Sequence, residues 1–399
     1  MPGTSAPSPS RSHSGARAFD ALILGGGIAG NALAFHLAHE HGWKVFLYER
    51  HTPAGGASGK AAGIVSTQCW NAWDIRAVET SRKEYRRLSE EHDETLFLET
   101  GGLRVVSSEE GERGLASAVD RLRAAKIEAR VVTAKEAGEL LPAAKIDDAR
   151  AALYTPKDAV VAPTDLTLLY GRLARENGAQ VESDLGAAEA RPVPKGWELA
   201  VGGHTYSAPK LIVACGAWTK GVLGRLGHPL PLAPYLTRAC LIKANVRKPF
   251  PWLHDSELDV YVRPFPGGDV LAGDGTELKE VDPEHLSPSS DLPFLENVAG
   301  FMQRRFPAWA SSSVGASWHG ICTSTPDRRP MIGPVPDAPG LFVLTGFNGF
   351  GVMRAGAASR WMADALARGR WTELREVDPG RFEPPYAPFE PRPGFTLER

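Results

Sequence analysis

Short unbroken apolar runs recur along this chain, at Ala21-Leu-Ile-Leu24, Val45-Phe-Leu-Tyr48, Leu211-Ile-Val-Ala-Cys-Gly216 and Gly340-Leu-Phe-Val-Leu-Thr345. A strand buried on both faces, as in a parallel sheet, shows this pattern rather than alternation. Helix-period spacing covers residues 31–41, 75–90, 114–125, 165–176 and 351–368. Further strands are predicted over 96–106, 129–132 and 178–181, with a hairpin over 197–201 and 205–206. Residues 226–319 change character: apolar and polar positions alternate around 241–244, 258–263 and 270–273, which predicts an antiparallel sheet with one exposed face. The predicted fold is therefore α/β, with a discontinuous parallel-sheet domain (19–90, 150–225 and 320–372) and a second domain filling the gaps (91–149 and 226–319). Residues 1–18, rich in Ser, Pro and Arg and lacking any acid, predict a disordered tail. Proline-rich 373–399 predicts a loose C-terminal one.

Length and charge narrow the field. At 399 residues the chain is too long for one simple core. Its 43% hydrophobic and 23% charged content is that of a globular protein, and a net charge of −2 gives no general attraction to nucleic acid or to an anionic membrane. No apolar run approaches the roughly 20 residues that span a bilayer. Cys69, Cys215, Cys240 and Cys322 are scattered without a C-x-x-C pair, which predicts reduced thiols and a cytoplasmic protein. His36, His39 and His41 end the first helix, where they complement its dipole; no metal site is predicted from them.

Chemistry enters with the glycines. Gly25 permits a tight turn after the first strand, Gly27 lets the backbone approach a pyrophosphate, and Gly30 lets the next helix pack closely. Glu49, at the end of the second apolar run, is placed to accept hydrogen bonds from a ribose hydroxyl. Strand, glycines, helix and terminal acid together form a dinucleotide fingerprint, which leaves FAD and NAD both open. A second cluster, Gly55-Gly-Ala-Ser-Gly-Lys-Ala-Ala-Gly63, lacks bulky side chains and suits close backbone approach to a ligand. A third is Gly320-Ile-Cys-Thr-Ser-Thr-Pro-Asp327-Arg-Arg-Pro330-Met-Ile-Gly-Pro334. In the fourth, Thr345-Gly-Phe-Asn-Gly-Phe-Gly351-Val-Met-Arg354, a strand runs into a glycine-rich turn and a helix. The positive end of that helix would suit a ring edge that gains negative charge on reduction.

These clusters resemble the D-amino-acid oxidase superfamily of FAD-dependent oxidoreductases, and within it glycine oxidase, sarcosine oxidase and the sarcosine and dimethylglycine dehydrogenases. The combination of Gly56-Ala-Ser-Gly59 with Thr325-Pro-Asp-x-x-Pro-x-Ile-Gly-Pro and Gly346-Phe-Asn-Gly-Phe-Gly is specific, and the resemblance runs from about residue 19 to 370. It implies a Rossmann-type FAD-binding domain with a parallel sheet, plus an α+β substrate domain built on an antiparallel sheet. It also implies that Gly25, Gly27, Ile28, Ala29 and Gly30 hold the pyrophosphate and that Glu49, with Arg50 beside it, holds the ribose. Ser58, Gly59, Lys60, Ala61, Ala62 and Gly63 would line the flavin, and Ala187 the adenine end. Ala214, Cys215, Gly216 and Trp218 would flank the ADP, and Gly349, Phe350, Gly351, Val352 and Met353 the isoalloxazine.

The departures bear on mechanism. The His that the dehydrogenases link to flavin, just before Ala-Ala-Gly, is Lys60 here, and Cys322 falls two positions from the linking Cys of monomeric sarcosine oxidase. The resemblance so implies non-covalent FAD. Glycine oxidase's carboxylate-binding Arg falls at Cys322, and two lysines of sarcosine oxidase fall at Met353 and Leu271. Tyr261 matches a tyrosine that glycine oxidase directs into its substrate site. Arg263 alternates with it on one strand face and is the first candidate for a substrate carboxylate, by a bidentate guanidinium pair; Arg354 is the second. The implied activity is oxidation of the C–N bond of an amino acid or a secondary or tertiary amine by hydride transfer to flavin N5, giving an imine that hydrolyses. The electron acceptor is O2 or another molecule. The competing readings are an NAD-dependent dehydrogenase on the first motif, a flavin domain serving RNA or thiazole maturation, and a non-catalytic flavoprotein subunit of a larger complex.

Overall fold

The structure, a computed structural model, describes residues 17–69, 71–92, 94–273, 276–277, 279–286 and 291–391. Most of the tail expected over 1–18, and the end of that expected over 373–399, lie outside the described residues. Arg17–Ala18 pairs in parallel with His204–Ala208.

The unbroken apolar runs do form a parallel sheet. Its strand order is Gln180–Ser183, Val45–Glu49, Ala21–Leu24, Leu211–Val213, Leu341–Thr345 and Met331–Pro334, all parallel except the last. Ala21, Leu22, Ile23, Leu211, Ile212 and Val213 are fully buried, since helices or further strands cover both faces. On one face the helices Ile28–His41, Pro163–Glu176, Ala72–Glu91 and Gly351–Arg368 pack into a single core. Their approach is close enough that a Cβ on Gly356 would lie 3.0 Å from the Tyr85 ring.

The second layer is an eight-stranded sheet in the order Val314–Ser324, Ala233–Ile242, Asp269–Gly273, Val260–Phe265, Trp252–Asp255, Gly102–Val106, Ala151–Thr155 and Arg130–Val132. All its pairings are antiparallel except that of Trp252–Asp255 with Gly102–Val106. Val260, Val262, Val270 and Ala272 face a core closed by the helices Ala134–Leu140 and Leu292–Arg305. By alternation Tyr261 and Arg263 face the other way, towards the parallel sheet. The strand Ala151–Thr155 falls in the segment assigned to the parallel-sheet domain, yet it pairs in the eight-stranded sheet.

The three clustered histidines turn to different partners. His39 Nδ1 is 2.9 Å from Asn177 Oδ1 and His41 Nε2 is 3.3 Å from Asp364. His36 is buried, with Nε2 3.1 Å from Glu84 and Nδ1 3.0 Å from Glu40. Tyr170 donates to Glu84, and Arg360 pairs with Glu40. Burial opposes the His36 charge, but the two carboxylates outweigh it and hold its pKa above the ordinary 6.5. Burial likewise opposes the carboxylates, but His36 holds Glu84 below its ordinary 4.5 and Glu40 at about 2. A raised folded pKa stabilises below 6.5 and loses that contribution as pH rises through it; a depressed one stabilises above 4.5 and loses it as pH falls. This network therefore contributes most between about 4.5 and 6.5. His36→Gln is expected to flatten the alkaline fall in melting temperature, and an unchanged pH profile would contradict the assignment.

Candidate active site

A continuous cleft of about 1030 Å³ lies where the C-terminal ends of the parallel strands meet the open face of the eight-stranded sheet. At one end Gly25 takes φ +112°, and its N–H donates to Tyr48 O at 2.9 Å. A Cβ there would lie 2.4 Å from Ala214 O, and one on Gly30 would lie 2.0 Å from Gly25 O. Gly30 is thus a packing residue under the turn and does not itself line the cleft. Ser58 Oγ accepts from Ile28 N–H at 2.9 Å and closes over the start of the first helix. Glu49 Oε2 accepts from Gly26 N–H at 2.7 Å and Oε1 from His51 N–H at 2.9 Å. Both carboxylate oxygens are thereby fixed while retaining acceptor capacity for ribose hydroxyls. Arg50, paired with Glu284 at 2.8 Å, lies over the Trp218 ring at 5.7 Å. Trp218 Nε1 is buried and has no partner among the described residues.

At the other end Gly346, Asn348 and Gly349 all adopt positive φ, at 72°, 52° and 83°, and turn the chain into the helix Gly351–Arg368. That helix begins with no side-chain cap and no acid in its first turn, so its first N–H groups remain available to a ligand. The features fit a dinucleotide with an electron-accepting ring: glycines where a Cβ would collide, a fixed acid at one end and an uncapped helix at the other.

Of the residues singled out for cofactor binding, all but Gly30 and Gly59 line this cleft. Gly59 instead lets its helix pass Ala54, whose carbonyl oxygen a Cβ would approach to 2.2 Å. Tyr261 is brought to the cleft, whereas Arg263 and Arg354 do not line it. Arg263 is 3% exposed, stacks on Phe265 at 5.1 Å and donates to Pro264 O at 3.2 Å; burial lowers its pKa to about 10. Arg354 turns into the core, 2.9 Å from Asp74 and 4.6 Å above the Phe350 ring.

Among the further lining residues, Tyr235 and Thr237 on the strand Ala233–Ile242 escape the sequence reading, while Thr323 on Val314–Ser324 and Asn348 in the turn fall inside its clusters with no role assigned to them. The one signal for Asn348 was an asparagine among glycines, where a side chain must tolerate the left-handed region. Burial raises the Tyr235 phenol well above its ordinary pKa and raises the Cys322 thiol, so both stay protonated at neutral pH. Burial raises Cys215, beside Glu49, to about 12. All four cysteines are free.

A family model described as FAD dependent oxidoreductase matches residues 20–365. The chain is 27% identical over 379 residues to the mitochondrial pyruvate dehydrogenase phosphatase regulatory subunit of Mus musculus, covering 90% of this chain and 43% of that protein. It is 26% identical over 361 residues to glycine oxidase of Geobacillus kaustophilus (strain HTA426), covering 88% and 93%. The solved structure of L-proline dehydrogenase from P. horikoshii shares the fold, with a TM-score of 0.84 and 22% identity over 92% of this chain and 98% of that one. The chain thus spans less than half the length of the murine mitochondrial relative. No helix among the described residues is long and apolar enough to cross a membrane.

Proposed function

This chain belongs to the FAD dependent oxidoreductase family, and on that premise we propose that it oxidises the C–N bond of an amino acid or of a secondary or tertiary amine. The observation that carries the reading is the single cleft joining the dinucleotide grip to the open face of the antiparallel sheet. The glycine turn, Glu49 and the start of the final helix would hold FAD, which would supply an acceptor for the hydride of the substrate's α C–H bond; the imine so left would hydrolyse to a carbonyl compound and an amine.

The chain's own residues prepare that transfer. An alkylammonium ion with a pKa of roughly 10 needs about 4 kcal/mol to lose its proton at pH 7. A pocket that desolvates the cation lowers this cost, and Tyr261, Phe347 and Phe350 supply apolar walls along the cleft. The start of the final helix, with no side-chain cap and no acid in its first turn, would offer N–H groups to negative charge gathering on a reduced ring. In this reading FAD would be held without a covalent tether, since Lys60 stands at the histidine position and desolvation keeps the Cys322 thiol protonated.

Turnover of sarcosine, dimethylglycine or proline with an electron-accepting dye tests this. One carbonyl equivalent is expected for each electron pair delivered to the dye; dye reduction without carbonyl product would overturn the reaction assigned. The likeness to a phosphatase regulatory subunit favours a second reading, a flavoprotein without catalysis. Its signature is a flavin that stays oxidised with every amine.

A further inference from the structure

The helix Ile28–His41 ends at Gly42, which takes the left-handed conformation at φ 66° and leaves His41 as the last helical residue. That helix packs against Gly351–Arg368, where Arg360 and Asp364 lie one turn apart on one face. Packing assembles there what the histidine spacing alone does not offer. Among the described residues, Glu40, His41 and Asp364 form a group whose ligand atoms, one from each, all lie within 4.8 Å of one another. Two of them already stand at coordination spacing. His41 Nε2 is 3.3 Å from Asp364 Oδ1, and two ligands of one tetrahedral zinc ion, each bonded at about 2.0–2.2 Å, stand about 3.3–3.6 Å apart.

The state of the imidazole is an independent observation. The His41 side chain is 7% exposed, and its buried Nε2 makes no hydrogen bond among the described residues, even to Asp364. A buried ring nitrogen left without a bond is costly, and a metal ion completes it. Glu40 is held from behind: Oε1 lies 3.0 Å from Nδ1 of the buried His36 and 3.1 Å from Arg360 Nε. Outer partners of this kind orient a ligating carboxylate. The cations that now face the two carboxylates compete weakly. Arg360, and Arg368 at 3.5 Å from Asp364, are 49% and 60% exposed, and ion pairs of exposed side chains contribute little. Glu40 and Asp364 stay partly exposed, which leaves a fourth position to water. One imidazole with two carboxylates and a water is a donor set for zinc, whereas magnesium takes oxygen ligands and would leave the imidazole unused.

We propose that His41, Asp364 and Glu40 bind a zinc ion that ties the end of the helix Ile28–His41 to the final helix. The starts of both helices line the cleft and the site lies towards their far ends, so the proposal stands apart from the amine-oxidising reading. Its test is a titration of chelator-treated, flavin-loaded protein with Zn2+ against a chromophoric zinc indicator, with a thermal melt before and after. The proteins are the parent, His41→Ala, Asp364→Asn and, as control, His39→Ala, whose side chain turns to Asn177. One zinc per chain and a higher melting temperature on binding are expected in the parent and in the control. In both site variants the affinity is expected to fall about tenfold or more and the thermal gain to vanish. Asp364→Asn, a near-isosteric change at a partly exposed position, is expected to keep its flavin and its metal-free melting temperature, which separates loss of the site from loss of the fold. Zinc held as tightly by the site variants as by the parent is adventitious surface binding and overturns the proposal, as does a parent that binds none.

Discussion

Gly30→Val is expected to yield protein that purifies without flavin and melts at a lower temperature than the parent. The physical reason is a backbone collision. A Cβ at this position would sit 2.0 Å from Gly25 O and 3.6 Å from the Ile23 side chain, and neither the turn nor the strand beneath it can yield cheaply. Overpacking of this kind costs about 1–3 kcal/mol or more. Relief requires the helix Ile28–His41 to lift from the sheet, which would carry its first N–H groups away from where a pyrophosphate is expected to lie. Gly224→Ala, in a helix where a Cβ meets nothing within 4 Å, is the matched control and is expected to keep both flavin and melting temperature. The ratio of flavin to protein absorbance, with a thermal melt, decides. Full flavin content in the valine variant would contradict the assigned role of Gly30.

The second large effect is expected at Asp74. Its carboxylate and the Arg354 guanidinium are each 2% exposed and 2.9 Å apart. Asn71 fixes the carboxylate by donating from Nδ2 at 2.8 Å and accepting the Asp74 N–H at 2.9 Å. Burial pushes the Asp74 carboxyl above the usual carboxylate range even with Arg354 beside it, so the pair gains little over an apolar one. Breaking it is another matter. Asp74→Ala leaves a buried guanidinium in the first turn of the final helix, where it also opposes the dipole, and is expected to cost about 3–5 kcal/mol. Because Arg354 lies over Phe350, at the start of that helix, flavin affinity should fall with stability. The double variant Asp74→Leu with Arg354→Met is expected to recover most of the loss in denaturant unfolding. A single variant as stable as the parent would contradict this account.

The parallel sheet was legible because its strands are buried on both faces and bounded by glycine, a pattern that depends little on the rest of the chain. The final helix was equally clear, since Gly346-Phe-Asn-Gly-Phe-Gly351 marks its start and Gly369, in the left-handed region, its end. The ten-residue strand Ala233–Ile242, which lines the cleft, was not. Pro234 and Arg238 interrupt its apolar pattern, and both its faces are largely covered, so the period of two that marks a half-exposed strand is missing. Val314–Ser324 fails for another reason: its first half is exposed and its second half buried, so one strand reads as two kinds of chain. The helix Leu292–Arg305 lies in a stretch whose neighbours alternate, and local spacing there did not separate it from them.

At the site the backbone features were readable and the side-chain geometry was not. Glycine spacing reports where a Cβ cannot stand, a local property. Whether an arginine reaches a ligand depends on distant partners. Arg354 follows a helix start yet is held by Asp74, 280 positions earlier, and Arg263 shares a strand face with Tyr261 but lies beyond the cleft wall.

The central claim is that this cleft oxidises amines on its flavin. The most direct measurement mixes the flavin-loaded protein, without oxygen, with sarcosine, proline and dimethylglycine in turn, while the visible band is recorded. The account predicts that at least one compound bleaches the band and yields its carbonyl product in proportion to the flavin reduced. A band that stays oxidised with every amine at saturating concentration would contradict it.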